Sequence, residues 1–136
     1  MIVVDASALT AFFLREEGWR GLAPYMVRTV SVDHVVKEFY NAVWKALVLR
    51  GRISGREAAG VLRLFRRYLA KNMELRDERL YIDEAYSIAV RRRITIYDAL
   101  YIALAREEKL PLLTLDERQA EAARMEGVET INPATG

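Results

Sequence analysis

The chain has 136 residues, 52% of them apolar and 29% charged, with a net charge of +2, which is the composition of a folded domain and not of a disordered or collagen-like chain. No stretch is apolar enough to span a bilayer and no basic segment leads into a long apolar run at the N-terminus, so the chain reads as a single cytoplasmic domain over residues 1–136. With no cysteine and one histidine, His34, disulfides and thiolate or usual zinc sites are excluded, and any metal is a hard cation held by oxygen.

In chain order, Ile2 to Val4 is a strand that runs straight into a carboxylate, Asp5. A helix follows from Ala8 to Glu17 with Ser7 as its N-cap, and Gly18 and Gly21 break it before a second helical piece carrying Trp19, Leu22 and Tyr25. Val30 to Val32 is a short strand. Asp33 then caps a long helix ending at Gly51, a natural C′ glycine. Ser54 to Glu57 is a capping box opening a helix to Ala70, and Met73 to Leu75 is a minor strand. Leu80 to Arg93 is helical, with Ile82, Ala85, Ala89 and Val90 near one face. Thr95 opens the next helix, which ends at Glu108. Pro111 to Leu115 is a strand, Asp116 caps a helix to Glu126, and Val128 to Ile131 is the last strand. Strands alternating with helices give an α/β fold with a parallel sheet covered on both faces. Ligands of such sheets bind beyond the carboxyl ends of the strands, where strand order reverses.

Four acids stand apart: Asp5, Glu38, Asp98 and Asp116. Singly, each has a structural explanation. Asp5 and Asp116 can end strands and cap helices, Asp98 can favour a helix dipole, and Glu38 can face solvent. Together their contexts weaken that explanation. Asp98 lies in TIYDALYIALA among apolar neighbours, and Glu38 stands one helical turn from Asn41. Gathered carboxylates repel one another, and a divalent cation removes the penalty.

The same residues resemble the PIN-domain ribonucleases, and among them the VapC toxins of type II toxin–antitoxin pairs. The resemblance rests on D-x-S at Asp5 and Ser7, E-x-x-N at Glu38 and Asn41, the phrase YDALYIALA around Asp98, and T-x-D at Thr114 and Asp116. It covers nearly the whole chain. It implies a three-layer α/β/α sandwich whose parallel sheet of about five strands has the order 3-2-1-4-5. It implies that Asp5, Asp98, Asp116 and Glu38 hold Mg²⁺ or Mn²⁺ for endonucleolytic cleavage of RNA, leaving 5′-phosphate and 3′-hydroxyl ends. Ser7, Asn41 and Thr114 then support the carboxylates by hydrogen bonds. It further implies a homodimer and a cognate antitoxin protein. Some relatives carry a further acid shortly after the fourth, for which Glu117 and Glu121 are available.

Two basic clusters suit a phosphate backbone. Residues 45 to 71 hold Lys45, Arg50, Arg52, Arg56, Arg63, Arg66, Arg67 and Lys71 against one acid, Glu57, and Arg91 to Arg93 form the second. His34 reads as a capping or surface residue, and Trp19, Trp44 and the tyrosines as core or dimer contacts. The rival from another functional class is a PIN-like module that grips RNA or protein without cutting. A dinucleotide fold is disfavoured because no G-x-G-x-x-G follows the first strand.

Overall fold

A computed structural model describes residues 1–133. Five parallel strands form one sheet in the order β3-β2-β1-β4-β5. They are β1 (Ile2–Val4), β2 (Thr29–Val32), β3 (Met73–Arg76), β4 (Leu112–Leu113) and β5 (Thr130–Ile131). The helices are α1 (Ala6–Phe13), α2 (Trp19–Leu22), α3 (Val35–Trp44), α4 (Gly55–Asn72), α5 (Ile82–Arg92), α6 (Ile96–Glu108) and α7 (Glu117–Met125). The three-layer α/β/α architecture expected from the sequence is the one observed. Right-handed crossovers place α1 to α4 on one face of the sheet and α5 to α7 on the other.

Central strands covered on both faces must be apolar throughout, and β1 and β2 are buried along their whole length. The two polar side chains of β2 find partners inside. Ser31 Oγ donates to Val4 O at 2.7 Å, and Thr29 Oγ1 lies 2.8 Å from the Tyr68 hydroxyl, which donates to Met26 O. Under α1, Phe39 and Phe65 stack at 4.0 Å between centroids while Phe13 meets both rings edge-on. On the other face, α6 is buried continuously from Ala99 to Ala105, so its small and aliphatic residues let it lie close to the sheet.

Several boundaries differ from the sequence expectation, each for a local reason. α1 starts at Ala6 and not Ala8, because the Asp5 carboxylate, not Ser7, caps it by accepting from Ala8 N–H. It stops at Phe13, short of Glu17, and Arg15 adopts a left-handed φ of 53°. Asp33 does not cap α3; its Oδ1 accepts from Glu78 N–H, which ties the β2–α3 turn to the segment before α5. α3 gives way at Lys45 to a π-helical turn, Lys45–Leu49, before Gly51 closes it with φ 58°. The Ser54–Glu57 capping box forms as expected. β3 is a genuine edge strand, one residue longer than its weak pattern suggests. α5 begins at Ile82 after a 3₁₀ turn at Glu78–Leu80, and it buries Ala85, Ile88 and Ala89. Ile82 and Val90 therefore belong to a different stripe, which faces outward. β4 and β5 pair over two residues each, less than their apolar runs.

Candidate active site

The order of the sheet reverses between β1 and β4, where Val3 pairs with Leu112 and Val4 with Leu113. Beyond that step the two strands release Asp5 and Thr114 side by side. Asp5 is only 2% exposed. Its Oδ1 accepts from Ser7 Oγ at 2.7 Å and Ala8 N–H at 3.0 Å, and its Oδ2 accepts from Thr114 Oγ1 at 2.6 Å. Ser7 Oγ also accepts from Leu115 N–H at 3.0 Å, so one hydroxyl fastens the β4–α7 turn to the start of α1. Asp116 is the N-cap of α7, with Oδ1 accepting from Arg118 and Gln119 N–H.

The other two acids come from opposite helical layers. Asp98 stands in the first turn of α6, which Thr95 caps by accepting from Asp98 N–H at 3.2 Å. Glu38 projects from the first turn of α3, and the Tyr101 hydroxyl of α6 donates to its Oε1 at 2.5 Å. His34 Nε2 lies 2.8 Å from the same oxygen. Its N–H is poorly aligned with that oxygen, so this is a weaker polar contact beside the Tyr101 hydrogen bond.

Electrostatics link the four acids into a chain. Burial pushes Asp5 up to about 6, against the hydrogen bonds that favour its charge, and repulsion from Asp116 adds to the rise. Asp98 is raised by burial first, then by the charges of Asp116 and Glu38. Burial also works to raise Glu38, but His34 and Tyr101 outweigh it and hold the carboxyl below its ordinary value. The Tyr101 phenol is raised by burial and then by Glu38, Asp5 and Asp98, which surround it. An all-oxygen donor set under mutual repulsion fits a hard divalent cation. Among the described residues no three acids already stand at coordination spacing, and both oxygens of Asp5 are engaged. The fit is thus one of charge and ligand chemistry, with a carboxylate or hydroxyl rotation needed to expose Asp5.

Sequence reasoning missed three residues here. Tyr101 follows Asp98 by three positions on one helix, a spacing that puts both on one face. Gln119 is 1% exposed; its Nε2 donates to Asp98 O at 2.8 Å and its Oε1 lies 3.3 Å from Thr114 Oγ1, which locks α6 and α7 together behind the acids. His34 stands at the N-cap position of α3 without a side-chain cap bond, is 3% exposed and packs 4.9 Å from the Tyr101 ring, so it is not a surface residue. Nothing in a lone histidine after a strand signals that burial.

Other candidates fall elsewhere. Asn41 lines the same groove as Glu38 but makes no side-chain hydrogen bond among the described residues. Glu117 is exposed and pairs with Arg124, while Glu121 lines a small cavity walled by Arg91, Arg92, Arg93 and Arg118. Two of those arginines are already engaged: Arg91 and Arg92 both bond Glu126, whose side chain is buried. Trp44 is exposed, not core, and Trp19 carries the guanidinium groups of Arg15 and Arg20 over its ring.

The raised Asp5 has a consequence for stability in metal-free buffer. The folded carboxyl keeps its proton to about pH 6 and the unfolded one loses it near 3.8, so the unfolded chain binds fewer protons between those values. The Asp5 contribution to stability falls as pH rises from about 4 to 6 and levels off above, by about 3 kcal/mol in all. Asp5→Asn, whose amide can donate to Thr114 Oγ1 while Thr114 turns to Gln119, flattens that slope and is the more stable chain at pH 7 by about 1–2 kcal/mol. Denaturant titrations of wild type and Asp5→Asn across this range check it; a stability difference between the two that does not change from pH 4 to 6 contradicts the assignment.

The PIN-domain family model matches residues 2–125. The chain is 32% identical over 127 residues to Ribonuclease VapC3 of Pyrobaculum aerophilum, covering 88% of this chain and 92% of that one. It is also 32% identical over 130 residues to Exonuclease VapC9 of the same organism, covering 95% and 91%. Among solved structures, PAE2754 from Pyrobaculum aerophilum superposes with a TM-score of 0.72 at 24% identity, over 98% of this chain and 90% of that one. FitAcB from Neisseria gonorrhoeae superposes at 0.65 and 19% identity, over 98% and 99%. A match of this extent, on a sheet ordered 3-2-1-4-5 with its acids at the reversal point, makes the chain a member of the PIN-domain family, in its VapC branch.

Proposed function

We propose that the chain is a metal-dependent endoribonuclease and the toxin of a toxin–antitoxin pair. The observation that carries this reading is the chain of four mutually repelling carboxylates, two of them with raised pKa, at the reversal point of the sheet. The ribonuclease and exonuclease relatives support the chemistry, and the name VapC supports a cognate antitoxin.

In this reading Asp5, Asp98, Asp116 and Glu38 hold Mg²⁺ or Mn²⁺. Bound there, the cation supplies an acidified water and neutralises charge on the phosphate. The chain's own groups do the rest. Thr114 and Ser7 fix the two oxygens of Asp5, and Gln119 fixes the backbone of Asp98 against α7. Glu38, kept ionised by Tyr101 and His34, turns its second oxygen to the attacking water and accepts its proton. The water oxygen bonds to phosphorus, the bond to the 3′-oxygen breaks, and that oxygen takes up a proton, leaving a 3′-hydroxyl and a 5′-phosphate. A second reading, a PIN-like module that grips RNA without cutting, draws on the engaged oxygens of Asp5 and Asp116.

No helix among the described residues is long and apolar enough to cross a membrane. A cytoplasmic location belongs to the same proposal. So does a homodimer, supported by the outward stripe of α5: Ile82, Tyr86 (59% exposed) and Val90 (63% exposed) stand four residues apart, beside Leu80. Light scattering is expected to give twice the chain mass for wild type and the single mass for Tyr86→Glu/Val90→Glu. A monomeric wild type removes the dimer.

Asp98→Asn is expected to fold like wild type and to lose cleavage by about 10³-fold or more, since it removes a ligand charge from the metal chemistry. The check is cleavage of linear and circular single-stranded RNA with Mn²⁺, Mg²⁺ or chelator. Cutting of the circle by wild type, absent with chelator and in the variant, marks an endonuclease. Cutting of linear RNA alone makes it an exonuclease, and tight RNA binding without any cutting favours the binding module. Induced expression of wild type, but not of the variant, arrests growth if the chain is a toxin.

A further inference from the structure

A groove of ≈ 690 Å³ runs from the acids between α1 and α3, lined by Glu38, Asn41, Lys45, Arg50 and Asp116 among others. Glu38, Asn41, Ala42 and Lys45 follow the 0, 3, 4, 7 spacing of one helical face, so a single face of α3 carries acid, amide and then base away from the site. At Lys45 the helix widens. Arg50 N–H donates to Lys45 O at 3.0 Å, an i→i+5 bond, in place of the i→i+4 bond of an α-helix. In a regular helix Leu49 would lie over Lys45. The π turn moves Leu49 outward, where it is 64% exposed, and brings Arg50 over Lys45 and into the groove. Neither cation makes a side-chain hydrogen bond or ion pair among the described residues, unlike Arg91 and Arg92. Lys45 and Arg50 stand unpaired in a groove that also holds Glu38, Asp116 and, away from the site, Glu16, and an anion that extends beyond the acids would pair with the two cations.

We infer that this groove carries the backbone of single-stranded RNA, with Lys45 and Arg50 contacting phosphates next to the scissile one and the π turn serving to aim Arg50. This rests on the nuclease reading of the acids. Seven helical residues separate Lys45 from Glu38, a rise of about 10 Å, which places the cations away from the reacting phosphate. An acidic peptide is the rival occupant. RNA is favoured over it because the groove opens on the acids that the nuclease reading assigns to a phosphodiester.

The test uses wild type, Lys45→Gln, Arg50→Gln, the double variant and Arg50→Lys. Binding of a fluorescent 12-nucleotide single-stranded RNA is read by anisotropy in chelator over a range of salt, and cleavage in Mn²⁺ of that RNA and of a dinucleotide. Each Gln is expected to make the slope of log K against log salt shallower by about 0.7, and the double variant to bind about tenfold more weakly. KM for the 12-mer rises with kcat within about twofold, dinucleotide cleavage is unchanged, and Arg50→Lys keeps the slope. An unchanged slope in the double variant overturns the proposal, as does an equal loss on the dinucleotide. So does competition by poly-glutamate that the double variant abolishes while RNA binding stays intact, which assigns the groove to an acidic protein. If wild type binds with the expected slopes but cuts nothing, the nuclease reading falls and the groove assignment stands.

Discussion

The structure depends on one carboxylate held where water does not reach it. Asp5 ends the central strand, is almost wholly buried, and keeps three hydrogen bonds around two oxygens. Burying a charge is costly unless it is paired, and no cationic side chain among the described residues bonds to it. What surrounds it is organised to tolerate that charge and not to remove it. Ser7 and Thr114 donate from either side, and the first turn of α1 offers a backbone N–H. Those same two hydroxyls bind Leu115 N–H and Asp116 N–H, so the support of Asp5 is also what places Asp116.

From that point the fold reads as a means of bringing distant segments to one place. The β1–β4 step joins residues more than a hundred positions apart. α6, buried over two turns, sets Asp98 and Tyr101 against it, and α3 comes across the sheet's edge to meet Tyr101 through Glu38. Gln119 closes the ring by bonding the backbone of α6 from α7. Removing any one strut lets the carboxylates relax apart, which lowers their repulsion. The site is therefore strained electrostatically and braced sterically, the condition in which a cation gains most by binding.

Much of the architecture was legible because its signals are local. Apolar runs marked β1 and β2, the Ser54–Glu57 box marked α4, and Gly51 marked the end of the α3 segment. The 3-2-1-4-5 order came from the resemblance, since strand order is a long-range property that periodicity does not carry. What the sequence hid depends on tertiary competition. Asp5 displaced Ser7 as a cap because the hydroxyl had Asp5 and Leu115 to satisfy. Asp33 gave up its helix for Glu78 N–H, forty-five residues away. The burial of His34, the brace at Gln119 and the π turn at Lys45 have no periodic signature at all. The arginine run at 91–93 looked like a phosphate patch, yet two of its three side chains are tied to one buried Glu126.

The central claim is that the buried carboxyl of Asp5 holds its proton up to about pH 6 when the site is empty of metal, and that a bound cation displaces it. Calorimetric titration of Mn²⁺ at pH 6, in two buffers of different ionisation enthalpy, measures that proton directly. With a folded pKa of about 6, binding is expected to release about half a proton per chain, and none in Asp5→Asn. Mn²⁺ binding that releases no proton, or releases the same amount from the variant, contradicts the account.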